Sequence, residues 1–134
     1  MNHVEIARTY IGTPFRHQGR LPGIGLDCAG TVVCALREAG ISVDDVPAYG
    51  RIPANGLFVK MVADRCDKIQ LENVQIGDFC MFAFRDDPQH IAIVSSMEPM
   101  MLIHAYSEVG RVVENGMDYA WLKRLRGCYR LKDK

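Results

Sequence analysis

The sequence lacks a net charge, a long apolar run and any closely spaced pair of cysteines. Its 16 basic residues balance its 16 acidic residues, which argues against a nucleic-acid binder that relies on overall positive charge. No apolar run reaches the ~18 residues that a membrane-spanning helix needs. The five cysteines are odd in number and show no C-x-x-C spacing. Neither a disulfide scaffold nor a cysteine-rich zinc module is therefore expected.

The N-terminus also lacks the apolar core of a signal peptide, because Glu5 and Arg8 lie where that core would be. We therefore expect synthesis in a reducing cytoplasm without a signal peptide, and no membrane segment. The charges are unevenly spread, with a net of +2 over residues 1–26, −7 over 27–120 and +5 over 121–134. The basic C-terminal segment could favour an anionic partner, but we prefer to interpret it as a solvated face.

The order of the predicted elements indicates an α+β fold in one domain, residues 1–134, a length typical of a single domain. Helical spacing predicts an N-terminal helix, a second from the cap Asp27 to Gly40, and a third through 57–62 that ends near Cys66. Two stretches rich in glycine and proline are predicted to be loops, GTPFRHQGRLPGIG and VDDVPAYGRIPANG. The second half has the period of strands, in the order DFCMFAF, HIAIVSS, MLIHAYS, GRVVEN and GCYRL.

Cys28 occupies a position at which a reactive thiol is expected. A thiol attacks carbonyl groups as thiolate, and the first turn of a helix lowers the pKa of a thiol because its N–H groups and macrodipole favour negative charge. With Asp27 as the N-cap, Cys28 is the first residue of its helix, and the small Ala29 and Gly30 follow it. Spacing alone leaves a nucleophile and a core thiol both open. The remaining cysteines are predicted to be core thiols: Cys34, Cys66, Cys80 and Cys128.

Two of the four histidines, His90 and His104, lie in neighbouring predicted strands that form a hairpin. If the turn is centred on Met97, the two residues are directly opposed on one face, with Cβ atoms about 4.5–5.5 Å apart. At that distance one imidazole can hold the other in a single tautomer, as the base of a nucleophilic cysteine requires. A one-residue slip would separate them. We expect His3 to face solvent, and His17 lies in a loop where a structural role and a substrate contact are both open.

Two interpretations of Cys28, His90 and His104 remain at this point. They form a Cys–His–His set suited to nucleophilic catalysis, or they supply the three protein ligands of a catalytic zinc ion. The zinc interpretation is weaker, since the set lacks the short-spaced ligand pair or adjacent carboxylate that usually marks such sites. Each histidine taken alone could also be a hydrogen-bonded core residue.

The motifs that contain these residues resemble the NlpC family of cysteine peptidases. They are YIGTPFRHQGR, GLDCAGTV, IGDFCMFAFRDDPQHIAIV and MLIHAYSEVGRVVE, and they follow one another in the order typical of the family. The resemblance runs from about Val4 to Leu131 and is closest to the phage tail-associated branch that acts on bacterial cell walls. It implies a papain-like fold, with the nucleophile on a helix that packs on an antiparallel sheet and both histidines on that sheet.

The resemblance also implies roles for individual residues. Cys28 matches the nucleophile, His90 the general base and His104 the residue that orients the base, while the backbone N–H of Cys28 would help to stabilise the oxyanion. The implied reaction cleaves the bond between D-γ-glutamyl and a diamino acid in peptidoglycan stem peptides. Peptidoglycan is then the expected substrate and phage tail proteins the expected partners, at the tail and cell wall. We expect no cofactor, no metal and no nucleic acid.

Four residues are expected at the substrate-binding surface, and two of them depart from the family pattern. Phe15 stands where members often have Tyr, and Ala29 stands where they often have Ser. Asp27 matches an acid that contacts the free amine of the substrate in some members, and His17 lies in the same loop as Phe15. The departures motivate an alternative, a catalytically silent tail-tip or wall-binding module. A third interpretation is an acyltransferase on a related fold. Such an enzyme would require an apolar tunnel or anchor.

The position of Cys28 at a helix start predicts selective reactivity. Near neutral pH, iodoacetamide should alkylate Cys28 before Cys34 and Cys128, because only Cys28 lies where the thiolate is favoured. Peptide mass spectrometry after a short exposure measures the order of labelling. Earlier labelling of Cys34 or Cys128 would contradict the assignment of the nucleophile.

Overall fold

Helices come first in this chain, and a six-stranded antiparallel sheet follows. The computed structural model describes residues 1–45, 64–84 and 90–132. The helices with both ends in these ranges are α1 (His3–Thr9), α2 (Cys28–Glu38) and α3 (Tyr119–Leu122), and a short 3-10 helix spans Leu71–Asn73. The strands are β1 (Arg20–Leu21), β2 (Gly25–Leu26), β3 (Cys66–Ile69), β4 (Phe79–Phe82), β5 (His90–Met97), β6 (Met100–Tyr106), β7 (Arg111–Gly116) and β8 (Leu125–Leu131).

The main sheet has the strand order β3-β8-β4-β5-β6-β7, and β1 pairs with β2 in a separate small hairpin. All neighbours in the main sheet are antiparallel. The expected α+β class is confirmed. None of the helices in the described ranges is long and apolar enough to cross a membrane.

Local capping determines where α1 and α2 begin. Asn2 and Glu5 form a capping box, in which each side chain accepts a hydrogen bond from the backbone N–H of the other. Asp27 caps α2 by accepting the N–H of Gly30 at 2.8 Å. After α2 the chain reaches Gly40 at φ +83°, a left-handed conformation that glycine adopts without strain. The predicted start and end of α2 are confirmed.

Both faces of the main sheet are buried, and the core is therefore divided in two. The first part, here called the helix-side core, joins α1 and α2 to alternate residues of the sheet, among them Phe79, Met81, Ile91, Ile93, Ile103 and Ala105. The second part, the far-side core, contains intervening residues of the same strands together with β8, among them Cys80, Phe82, Ala92, Val94, Leu102 and Cys128. This division follows from the period of two along each strand. The prediction that β4 is buried on both faces is confirmed.

A helix ends at Arg65, which confirms the predicted helix end near Cys66, and Cys66 itself begins β3, which pairs with β8. One segment is more regular than predicted. The glycine-rich stretch before α2 contains the β1–β2 hairpin, because its glycines allow a close backbone approach. A Cβ at Gly19 would lie only 2.5 Å from the carbonyl oxygen of Gly25. The predicted helix through 57–62 lies outside the described residues.

The β5–β6 hairpin turns at a different place from the one predicted. Met97 pairs with Met100, so the turn lies at Glu98 and Pro99, and a bulge between Val94 and Ser96 shifts the register before Ile93 pairs with Ile103. If the same register continues to the start of β5, residue 106 lies opposite His90. His104 is then a diagonal neighbour, not the directly opposed residue. Because the displacement is two residues, both histidines still share one face of the sheet.

The solvent-facing position expected for His3 is also wrong. Nε2 of His3 lies 2.8 Å from the carbonyl oxygen of Gly77, and its ring packs 5.7 Å from that of Phe79. The cause is tertiary, since α1 lies across the sheet and directs this side chain onto the start of β4.

Burial of β5 predicts a large difference between two isoleucines. Ile93→Ala should lower the free energy of unfolding by about 2–5 kcal/mol, because Ile93 has no exposed surface and its removal leaves a cavity. Ile24→Ala is the matched control, since Ile24 is 64% exposed in the turn of the small hairpin, and it should change stability by less than about 0.5 kcal/mol. Urea unfolding followed by circular dichroism measures both. Equal effects of the two substitutions would contradict the described core.

Candidate active site

The two histidines meet in a buried cluster of aromatic rings. Nε2 of His90 lies 2.6 Å from Nδ1 of His104, and neither residue has any exposed surface. Four aromatic rings lie with centroids 4.7 to 6.2 Å from one or both imidazoles: Phe82, Phe84, Tyr106 and Trp121. The expected contact between the histidines is present, although the register that produces it differs from the prediction.

A third side chain, Asn115 of β7, extends this contact. Its Oδ1 atom lies 2.5 Å from Nε2 of His104, and its Nδ2 atom donates to the carbonyl oxygen of Gly116 at 3.1 Å. Sequence reasoning missed Asn115, because nothing in the GRVVEN segment distinguishes it from a surface residue. The register of β6 with β7, which pairs His104 with Val113 and Leu102 with Asn115, is the signal that would have identified it.

Burial determines the charge of His104. It lowers the pKa of His104 to about 3, and a positive charge on His90 would lower it further, whereas the hydrogen bond to Asn115 acts in the opposite direction. His104 is therefore neutral at neutral pH. A neutral imidazole donates through one ring nitrogen and accepts through the other, which suits a residue that lies between two hydrogen-bonding partners.

Cys28 is the first residue of α2, as predicted, and it is 5% exposed. It belongs to the helix-side core, and α2 packs against β5 and β6, the two strands that carry the histidines. The same part of the core contains Ile91 and Ala105, the chain neighbours of His90 and His104. The fold thus packs the helix that begins at Cys28 on the pair of strands that holds the imidazoles.

Asp27 lies in a network of charges just before Cys28. Its carboxylate, which caps α2, also accepts the N–H of Gln18 at 2.9 Å and a guanidinium N–H of Arg20 at 2.9 Å. Arg20 in turn donates to both carboxylate oxygens of Asp45, at 2.9 and 3.0 Å. The carboxylate at the helix start is therefore balanced by a cation, which reduces its repulsion of a thiolate on Cys28.

The other residues expected at the substrate surface differ in exposure. Phe15 is half-buried against the helix-side core and bridges to Leu26, two residues before Cys28. His17 is exposed. Ala29 has no exposed surface, so its difference from the Ser of the family pattern alters the core behind the helix start. Phe15 and His17 are the two of this set whose side chains reach the surface.

The remaining cysteines behave as core thiols. Cys34 is half-buried and its Sγ lies 3.4 Å from the carbonyl oxygen of Arg20. Burial raises the pKa of Cys34, and that of Cys66 to about 11. Cys80 and Cys128 face each other on β4 and β8, and their mutual hydrogen bond together with burial raises the pKa of Cys80. Their buried or half-buried positions agree with the prediction.

Within the described part of the chain, no group of three or more His, Cys, Asp or Glu side chains is arranged to hold a metal ion. Cys28, His90 and His104 do not form such a group. The facing nitrogens of the two histidines lie at hydrogen-bond distance from each other, and do not converge on a shared ion.

Comparison with known proteins gives one family. A model described as the NlpC/P60 family matches residues 12–130, which is most of the chain. No curated protein matches the chain in sequence. The matched segment contains every residue assigned to the candidate site.

Several solved structures share the fold. A lipoprotein-like protein of the NLP/P60 family from Staphylococcus aureus superposes with a TM-score of 0.74 at 22% identity, over 98% of this chain and 41% of its own. The peptidoglycan hydrolase RipB from Mycobacterium tuberculosis gives 0.72 at 14%, over 98% and 64%. The NlpC/p60 domain of the peptidoglycan hydrolase SagA gives 0.65 at 22%, over 96% of both chains. The chain thus spans less than half of the staphylococcal protein, and the likeness shows the papain-like fold.

The lowered pKa of His104 predicts a pH dependence of stability. As pH falls from about 6.5 towards 3, the unfolded chain binds a proton at His104 that the folded chain does not, so stability is lost with falling pH. The expected slope is at most about 1.4 kcal/mol per pH unit. Urea unfolding between about pH 6 and pH 4.5 should therefore give a shallower slope for His104→Gln than for the wild type. His17→Gln, at an exposed histidine, is the control and should keep the wild-type slope; a wild-type slope in His104→Gln would contradict the prediction.

Proposed function

This chain belongs to the NlpC/P60 family, and from that membership we propose that it is a cysteine peptidase that hydrolyses the stem peptides of peptidoglycan. The observation that carries the proposal is the buried hydrogen bond between His90 and His104, on the two strands against which the Cys28 helix packs. Two proteins of the same fold, RipB and SagA, are peptidoglycan hydrolases. The proposed bond is that between D-γ-glutamyl and a diamino acid, as the sequence resemblance implies.

The proposed reaction begins with attack by Cys28. Its thiolate adds to the carbonyl carbon of the substrate amide and forms a C–S bond, while the carbonyl oxygen becomes an oxyanion. The start of α2 favours the thiolate, because N–H groups in the first turn of a helix have no acceptor within that helix. We assign the backbone N–H of Cys28 to the oxyanion for the same reason.

His90 is the proposed base and acid. It takes the proton of the Cys28 thiol, and it returns a proton to the departing nitrogen when the C–N bond breaks. Water then adds to the thioester with His90 as base, a C–O bond replaces the C–S bond, and the thiol is restored. Because Nε2 of His90 faces His104, we assign these proton transfers to Nδ1.

Phe15 and His17 are the proposed substrate contacts on the surface beside Cys28. Asp27 and Ala29 are buried, so we propose that they do not touch the substrate. They support the surface beside Cys28, Asp27 through the cap of α2 and Ala29 through core packing. The carboxylate of Asp27 already accepts two backbone N–H groups and pairs with Arg20. A contact with a substrate amine would have to compete with these three donors, which favours a substrate without a required free amine.

A catalytically silent wall-binding module is the second candidate. The observation in its favour is the low exposure of the site, with Cys28 5% exposed and both histidines completely buried. For both candidate functions, we propose that the protein lies in the phage tail and that tail proteins carry it to the cell wall. The support for this placement is the sequence resemblance to the tail-associated branch.

Digestion of purified peptidoglycan tests the proposal. The wild type should release muropeptides cut at one type of amide bond, identified by mass spectrometry, and Cys28→Ser should release none because its hydroxyl is a far weaker nucleophile. Cys34→Ser is the matched control, six residues further along the same helix, and should keep activity within about threefold, since a serine hydroxyl can keep the hydrogen bond of this half-buried side chain to the carbonyl oxygen of Arg20. Intact peptidoglycan after treatment with folded wild-type protein would reject the peptidase and favour the silent module.

A further inference from the structure

The orientation of the Asn115 amide is fixed at both ends. Oδ1 lies 2.5 Å from Nε2 of His104, and Nδ2 donates to the carbonyl oxygen of Gly116 at 3.1 Å. If the amide were reversed, its oxygen would face the carbonyl oxygen of Gly116, and two acceptors cannot bond to each other. Oδ1 is therefore the atom that faces His104.

This orientation determines which nitrogen of His104 carries the proton. An amide oxygen only accepts hydrogen bonds, so Nε2 of His104 must donate to Asn115. His104 is neutral because burial lowers its pKa to about 3, and a neutral imidazole has a single N–H. With the proton on Nε2, the Nδ1 atom of His104 has a lone pair and accepts.

The constraint passes from His104 to His90. Since Nδ1 of His104 accepts, the partner at 2.6 Å, Nε2 of His90, must be the donor. A neutral His90 with its proton on Nε2 has its lone pair on Nδ1, and that tautomer can take a proton from a thiol. If His104 carried its proton on Nδ1 instead, neutral His90 would be protonated on Nδ1 and could not act as the base there.

We propose that Asn115 is a positioning residue, which fixes the tautomer of His104 and thereby sets Nδ1 of His90 as the basic nitrogen. The inference rests on the proposed peptidase function. A parallel exists in Ser–His–Asp triads, where the wrong imidazole tautomer lowers kcat about 10⁴-fold although the geometry is kept. The expected effect of Asn115 is smaller because it acts through a second imidazole and its hydrogen bond is between neutral groups.

Histidine tautomers can be measured directly in the whole chain labelled with ¹⁵N-histidine. Two-bond ¹⁵N–¹H spectra distinguish protonated from unprotonated ring nitrogens, and in the wild type both His90 and His104 should be protonated on Nε2. Asn115→Leu removes the acceptor at nearly constant size, and should give His104 protonated on Nδ1 or a mixture of tautomers. Leucine is preferred to alanine because an open cavity of about 580 Å³ beside Asn115 would let water replace the amide oxygen.

Two further variants distinguish a change of tautomer from a general loss of structure. Asn115→Asp loses the donor to the carbonyl oxygen of Gly116 but keeps an acceptor for Nε2 of His104, and should keep Nε2 of His104 protonated. Asn73→Leu makes the same exchange at an exposed asparagine of the 3-10 helix, and should leave the histidine signals unchanged. On peptidoglycan, Asn115→Leu should lower kcat about tenfold with little change in KM, the size of effect expected from one lost hydrogen bond, and Asn115→Asp should recover most of it.

Each result decides the inference. Wild-type His104 protonated on Nδ1, or unchanged tautomers in folded Asn115→Leu, would overturn it. If Asn115→Leu does not fold, the wild type and Asn115→Asp decide. A proton on Nε2 of His104 in both supports the inference, and a His104 whose Nε2 is unprotonated in either rejects it. The spectra need no turnover. A wild type that leaves peptidoglycan uncut but shows the expected tautomers would reject the peptidase and retain the role of Asn115 in setting the tautomers.

Discussion

The pairing of β5 with β6, buried on both faces, is the constraint on which the candidate site depends. On one face the two strands pack against α2 and so locate Cys28. The same two strands also hold His90 and His104 against each other among aromatic rings, without exposed surface. A shift of one residue would exchange the two faces and remove the imidazoles from their partners, so the register of this hairpin and the site are specified together.

The bulge in β5 helps to fix that register, and polar contacts hold it in place. The hydroxyl of Ser95 donates to Glu114 at 2.6 Å, and Arg8 of α1 bonds both to that carboxylate and to the carbonyl oxygen of Ser95. The hydrogen bond from Arg8 contributes most to lowering the pKa of Glu114, and the hydrogen bond from Ser95 lowers it further. The neighbouring Asn115 points to the opposite face and bonds to His104. Adjacent residues of β7 thus support the bulge from one face and the histidine pair from the other.

Burial of two imidazoles and an amide is costly unless each polar atom finds a partner. The chain Asn115–His104–His90 meets this requirement through directed hydrogen bonds. The same low exposure that enforces the direction of these bonds also keeps His104 neutral. Stability and chemistry are therefore linked here, because the arrangement that satisfies the buried atoms also selects one tautomer for the proposed base.

The sequence by itself determined the local features of this protein. The Asp27 cap, the place of Cys28 at a helix start, the end of α2 at Gly40 and the two buried faces of β4 all follow from capping and periodicity, which act over a few residues. The order of the predicted elements extended this to the α+β class, and the family motifs extended it to the papain-like fold. Tertiary structure decided the hairpin register, the half-buried position of His3 and the contact of Asn115 with His104. These depend on a bulge, on helix packing and on strand pairing between residues distant in the chain, and no local pattern encodes such distances.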